Sequence, residues 1–184
     1  MYEAVVIGAS AGGMEAIIRL LTGLKPEFAL PIMIVQHTSP SSDNYFIEHI
    51  QKKTGLIAKE ASSGEKISGR LIFVAPPNYH LLVEKNKTLT LSTEEKVNYS
   101  RPSIDVLFET AAEAYYQKLI GIILTGASSD GSLGLKRIKQ LGGYCIVQEP
   151  ESAESKIMPK SAIKLAHPDK ILKIDEISDF LNNL

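Results

Sequence analysis

The chain has 184 residues, 44% hydrophobic and 22% charged, with a formal net charge of -1. That is enough apolar material for one sizeable core, and the length sets a single domain over residues 1–184 as the expectation. There is no basic surplus to drive binding to nucleic acid or an anionic membrane, no stretch near the ~18 to 20 apolar residues of a membrane span, and no basic leader before the apolar run at residues 1–7.

These numbers point to a cytoplasmic globular protein with neither a nucleic-acid partner nor membrane insertion. The single cysteine, Cys145, has no internal disulfide partner. It lies in the apolar run Tyr144-Cys145-Ile146-Val147, which reads as a buried core thiol with no base beside it.

Taken in chain order, short apolar runs alternate with amphipathic stretches. Strands are expected at residues 4–7, 32–36, 71–75, 119–124, 144–147 and 171–174, each rich in Val and Ile and bounded by Gly, Pro or polar residues. Helices are expected at 13–24, 103–118, 132–141 and 159–166. In the first of these, Met14, Ile17, Ile18 and Leu21 recur at i, i+3, i+4, i+7. Gly131 and Gly142 suit the two ends of the third, and Pro159 suits the first turn of the fourth, which Pro168 stops.

This alternation implies an α/β fold, a doubly wound and mainly parallel sheet with helices on both faces. The middle breaks the pattern. Residues 81–84 and 88–91 around Lys85-Asn86-Lys87 read as an antiparallel hairpin at one sheet edge.

The first strand runs directly into Gly8-Ala9-Ser10-Ala11-Gly12-Gly13 and then a helix. A dinucleotide turn wants a glycine where Ser10 stands. A phosphate-binding loop wants a lysine at the helix start, and the first lysine here is Lys25. The remaining chemistry is a nucleophile elbow, G-x-S-x-G, with small residues on either side of a projecting hydroxyl. On its own the segment fits a nucleophile, an anion-binding turn or a simple tight turn.

An activated serine needs a base, and the base needs a partner that fixes its tautomer. Of the four histidines, His49 lies in a polar helical stretch, His80 opens the hairpin in a structural place, and His167 sits where a helix C-terminal cap belongs. His37 stands at the carboxyl end of the second strand, as Ser10 does after the first. In an open parallel sheet those ends share the edge where ligands bind.

Asp130, in Leu124-Thr125-Gly126-Ala127-Ser128-Ser129-Asp130-Gly131, follows a third strand and precedes another helix. Alone it reads first as a helix N-cap. Three such residues on one edge point to a Ser10–His37–Asp130 triad.

The sequence as a whole resembles the catalytic domain of CheB-type protein-glutamate methylesterases. The segments that carry the likeness are Val6 through Gly13, Val35-Gln36-His37, Ala75-Pro76-Pro77-Asn78-Tyr79-His80-Leu81, Arg101-Pro102-Ser103-Ile104-Asp105-Val106-Leu107-Phe108, Leu124-Thr125-Gly126 with Asp130-Gly131, Gln148-Glu149-Pro150 and Met158-Pro159.

The resemblance implies hydrolysis of glutamate methyl esters, and deamidation of glutamines, on the cytoplasmic domain of methylated chemoreceptors. The family catalytic positions fall on Ser10, His37 and Asp130, and the oxyanion donors on the backbone N–H groups of Ala11 and Ala127. No cofactor and no metal are expected, and a separate regulatory or methyltransferase protein is a candidate partner.

Two departures stand out. Typical members carry an N-terminal receiver domain, and none is expected here. The loop 126–131 has Ala and Ser where members often have Met and Gly. Arg101 is a candidate substrate contact, with a plain surface charge as the alternative; the role of Asp105 is open. The competing functions are a non-catalytic receptor- or methyltransferase-binding module and a small-molecule serine esterase.

Overall fold

A computed structural model of the chain describes residues 1–37 and 45–184. The elements are β1 (Ala4–Ala9), α1 (Gly13–Thr22), β2 (Ile32–Gln36), α2 (Tyr45–Thr54), β3 (Ala58–Glu60), β4 (Ile72–Val74), β5 (His80–Val83), β6 (Leu89–Ser92), α3 (Ile104–Tyr115), β7 (Leu119–Ile123), α4 (Ser132–Gln140), β8 (Tyr144–Gln148), α5 (Ile157–Ala166), β9 (Lys170–Leu172) and α6 (Ile174–Asn182).

The main sheet has the order β3-β4-β2-β1-β7-β8-β9, and every pairing in it is parallel. The chain winds outward from β1 through β2 to β4 on one side and through β7, β8 and β9 on the other. β1 is thus where the winding direction reverses, the position at which an open α/β sheet leaves a crevice beyond its carboxyl ends.

Both faces of the sheet are covered, so the inner strands read as unbroken apolar runs. Alternation along each strand sorts its side chains between two cores. Val5, Ile7, Ile32, Ile34, Ile120, Ile122 and Ile146 pack with the buried residues of α1, α2 and α6. Val6, Met33, Val35, Phe73, Leu119, Ile123, Cys145 and Val147 pack with those of α3, α4, α5 and the β5–β6 hairpin. The hairpin expected from residues 81–91 is present as a separate two-stranded antiparallel sheet, with Leu81, Val83 and Leu89 in the α3-side core.

Three elements go beyond the sequence reading. β3 is three residues long with a single buried side chain, Ala58, too short for a periodic signal. α2, anticipated only as the polar helical stretch around His49, buries Phe46 and Ile50 among charged neighbours, which leaves a weak apolar stripe. Ile174 is the first residue of α6 rather than the last of a strand. There the Glu176 carboxylate accepts the Lys173 N–H at 2.8 Å, half of a capping box whose lysine start disguises it in the sequence.

Candidate active site

Ser10 and His37 directly follow β1 and β2, whose last paired residues are Ala9 and Gln36. His37 N–H continues the ladder by donating to Ala9 O at 3.0 Å. The two residues therefore stand just beyond the carboxyl ends of two paired strands. By alternation Ser10 continues the side of Val6, and His37 the side of Val35, so both fall on the α3 face.

The Ser10 turn is held from several directions. Ser10 N–H donates to Thr125 O at 3.0 Å, and Ser10 O accepts the Gly13 N–H at 2.8 Å. Gln36 Nε2 donates to Ser10 O at 2.8 Å and to His37 O at 2.9 Å, so one buried amide ties the two strand ends together. Thr125 Oγ1 donates to Ala11 O at 2.9 Å and accepts the Ser155 N–H at 2.8 Å. Gly12 makes the turn into α1 with φ 73°, a left-handed backbone that favours glycine.

Asp130 lies in the loop after β7 and is fully buried. Its Oδ2 accepts His37 Nε2 at 2.8 Å and the Ile104 N–H at 2.7 Å. Its Oδ1 accepts Ser103 Oγ at 2.9 Å and, at 3.1 Å each, Asn98 Nδ2, the Asp105 N–H and the Gly131 N–H. Burial alone would raise this carboxyl, but the bonds from His37, Ile104 and Asn98 outweigh it and hold it below the ordinary carboxylate value.

An ionised carboxylate only accepts, so His37 donates through Nε2–H. In the neutral ring this leaves Nδ1 as the free base. Among the described residues no hydrogen bond joins Ser10 Oγ to His37. The Ala11 and Ala127 N–H groups, both on exposed residues, likewise donate no hydrogen bond among the described residues.

The other titratable residues take structural places. His80 is buried, its Nδ1 accepting the Ser103 N–H at 3.2 Å and its Nε2 donating to Glu95 O at 3.0 Å. His167 is the left-handed C-cap of α5, and His49 stacks on Tyr45 in α2. Cys145 is buried beneath α4, and burial pushes its thiol up to about 12, which removes it as a nucleophile at neutral pH.

Arg101 lines a cleft of about 160 Å³ with His37, Asn78, Lys96, Tyr99, Ser100 and Pro102. Its Nη1 donates to the carbonyls of Thr93 and Glu94 at 2.8 and 2.9 Å, so its visible contacts brace the segment beside the cleft.

Sequence reasoning missed the supporting roles of four residues. Asn98 carries no signal of its own. Ser103 and Asp105 sit in the motif that starts at Arg101, but the motif does not reveal that they gather around Asp130. Gln36 could have been found, because a glutamine ending an otherwise apolar strand needs a buried partner.

Asp105 is also buried, with Oδ1 accepting the Gly134 N–H at 2.7 Å and Oδ2 accepting Asn98 Nδ2 at 2.8 Å. Burial, opposed by the Gly134 bond and reinforced by the Asp130 charge, pushes its carboxyl up to about 6.

The described residues contain no helix long and apolar enough to cross a membrane.

Comparison with known proteins agrees with this architecture. A putative protein-glutamate methylesterase/protein-glutamine glutaminase of Leptospira interrogans (strain Fiocruz L1-130) is 50% identical over 183 residues, covering 100% of this chain and 95% of its own. A protein-glutamate methylesterase/protein-glutamine glutaminase of Paraburkholderia xenovorans is 37% identical over 95% of this chain, which spans 49% of that longer protein. The crystal structure of the Thermotoga maritima CheB methylesterase catalytic domain superposes with a TM-score of 0.94 at 32% identity, over 100% of this chain and 98% of that one. The CheB methylesterase family model matches residues 5–181, and the chain belongs to that family.

Proposed function

We propose that this chain hydrolyses glutamate γ-methyl esters, and deamidates glutamines, on the cytoplasmic domain of chemoreceptors, using Ser10 as nucleophile, His37 as base and Asp130 as its partner. The carrying observation is the 2.8 Å bond between His37 Nε2 and a buried Asp130 held in its ionised form, beside Ser10 on the next strand. The names of the relatives supply the ester and the amide as substrates.

In this reading His37 Nδ1 takes the Ser10 hydroxyl proton as Oγ attacks the side-chain carbonyl carbon. Charge that develops on the carbonyl oxygen meets the Ala11 and Ala127 N–H groups, which donate no hydrogen bond among the described residues. His37 returns its proton to the leaving group, methanol from an ester or ammonia from an amide. The glutamyl–Ser10 ester is then cleaved by a water that His37 deprotonates, which restores Ser10 and releases the glutamate carboxylate. Asp130 keeps the ring in the Nε2–H tautomer and stabilises the imidazolium in both halves.

The test has two parts: methanol release from membranes carrying methylated chemoreceptors, and covalent labelling of Ser10 by a fluorophosphonate. Release and labelling that both vanish in Ser10→Ala support the assignment. Release that persists in Ser10→Ala ends it.

A further inference from the structure

Residues 93–101 run from the end of β6 to the head of α3, and 93–99 are exposed. The segment is nonetheless pinned. Arg101 holds the carbonyls of Thr93 and Glu94, and His80 holds that of Glu95. Val97 and Ser100 exchange both backbone bonds, at 3.1 and 2.9 Å, and so close a two-residue turn on Asn98 and Tyr99.

Both central residues have left-handed backbones, with φ 51° and 63°. Asparagine enters that region readily, whereas a bulky aromatic residue is disfavoured there. Asn98 accounts for its place by bridging Asp105 and Asp130. Tyr99 has no such account, because its side chain is 98% exposed. It lines the cleft that contains His37. Backbone strain without a folding partner, next to a reactive group, is the pattern of a functional position.

The cleft volume indicates what Tyr99 meets. At about 160 Å³ it is well below the ~300–1,000 Å³ of pockets that enclose whole ligands, so beside His37 it has room for no more than one side chain of a polypeptide. The rest of a polypeptide substrate then lies on the rim, where Tyr99 stands. Tyrosine suits such a contact, with broad amphipathic area and few rotatable bonds.

The geometry points to Tyr99 as a specificity-determining residue that contacts the polypeptide flanking the scissile side chain and so favours protein-borne esters over small ones. This rests on the ester hydrolysis proposed above.

The test compares kcat/KM for a synthetic peptide bearing one glutamate γ-methyl ester with that for p-nitrophenyl acetate. In Tyr99→Ala the peptide-to-small-ester ratio falls by about tenfold or more, mainly through KM for the peptide. Tyr99→Phe retains most of it. Tyr99→Gly, which relaxes the left-handed backbone while removing the ring, loses the ratio as Tyr99→Ala does, so a folding defect in the alanine variant does not obscure the result.

Tyr116→Ala is the control. Tyr116 is another exposed tyrosine with positive φ, but it stands just before β7, at the amino ends of the strands rather than the carboxyl ends that hold the candidate site. It should leave the ratio unaltered. An unaltered ratio in both Tyr99→Ala and Tyr99→Gly overturns the proposal. So does an equal fall in Tyr116→Ala, or a wild-type protein that cleaves the small ester but not the peptide. A wild-type protein that cleaves neither ester and takes no fluorophosphonate on Ser10 overturns the hydrolase reading itself, and this inference with it.

Discussion

Asp130 accepts the His37 ring on the same oxygen, Oδ2, that takes the Ile104 N–H at the head of α3, at 2.8 and 2.7 Å. One carboxylate thus orients the candidate base and caps a core helix. Its other oxygen is occupied by four further donors. Asp130→Asn cannot satisfy this arrangement, because either orientation of the amide turns its NH₂ toward at least two existing donors. The expected result is a loss of roughly 2–4 kcal/mol in urea unfolding and on the order of 10⁴-fold in ester hydrolysis. A fully stable Asp130→Asn protein would contradict the capping role.

Ser10→Ala should separate the two properties that Asp130 joins. Ser10 Oγ makes no hydrogen bond among the described residues, so its loss leaves the turn intact. Hydrolysis should fall ~10⁴ to 10⁶-fold while the unfolding midpoint stays near that of the wild type. A large drop in stability with partial activity would mean that the hydroxyl is structural.

The strands around β1 were legible because both sheet faces are covered, which turns each inner strand into an unbroken apolar run flanked by small or polar residues. Ser10, His37 and Asp130 stand out together in the sequence because each ends or follows such a run, and the structure joins His37 to Asp130. What supports them was not. Asn98 reaches Asp130 from a tight turn whose local sequence, Val97-Asn98-Tyr99-Ser100, contains no glycine to announce two left-handed residues. The six donors on Asp130 come from three separate parts of the chain. Ile174 is ambiguous in the sequence, because Ile171, Leu172 and Ile174, interrupted only by Lys173, suit a strand end or a helix start equally well.

Gly8→Ala tests how tightly the turn and the α3 cap are packed. A Cβ at Gly8 would stand 2.3 Å from Ile104 Cγ2, closer than any side-chain carbon can approach. Ile104 must then move, and its N–H is bonded to Asp130. Overpacking of this kind should cost about 1–3 kcal/mol. It should also reduce hydrolysis through the displaced cap. Gly64→Ala is the comparison, with open space around its Cβ but a left-handed backbone that costs some stability without touching the site. Equal catalytic losses in the two variants would rule out this route to Asp130.

Asp105 makes a pH prediction with a definite sign. Burial raises its folded-state value to about 6, above the ordinary 3.8, so the folded protein holds a proton that the unfolded chain has released. Stability from this group is therefore greatest below about 4 and is lost as pH rises to about 6, by on the order of 3 kcal/mol at most. Asp130 acts in the opposite direction. Its value is lowered, so its contribution is present above the ordinary carboxylate range and is lost as pH falls below it. Urea midpoints measured across pH 4 to 7 should show the decline from Asp105 in the wild type and none of it in Asp105→Asn. A profile that is flat in both proteins over that range would refute the assignment.

Gln36 should act as a positioning residue through the two carbonyls it holds. Its Nε2 donates to Ser10 O and His37 O, while its Oε1 is buried with no partner among the described residues. Both amide protons therefore go to tying the nucleophile's strand to the base's strand. Gln36→Met keeps the volume and removes both bonds. It should cost about 1–3 kcal/mol of stability, since the His37 carbonyl is left without that donor.

Because Gln36 does not line the cleft, the kinetic loss in Gln36→Met should appear in kcat with KM little changed. Gln36→Glu should be worse than Gln36→Met at pH 8. An ionised carboxylate would be buried against two carbonyl oxygens, and neutralising it would supply only one O–H where two donors are needed. Lowering the pH to 5 should then narrow the stability gap between the two variants. An unchanged kcat in Gln36→Met would show that the strand pairing alone positions Ser10 and His37.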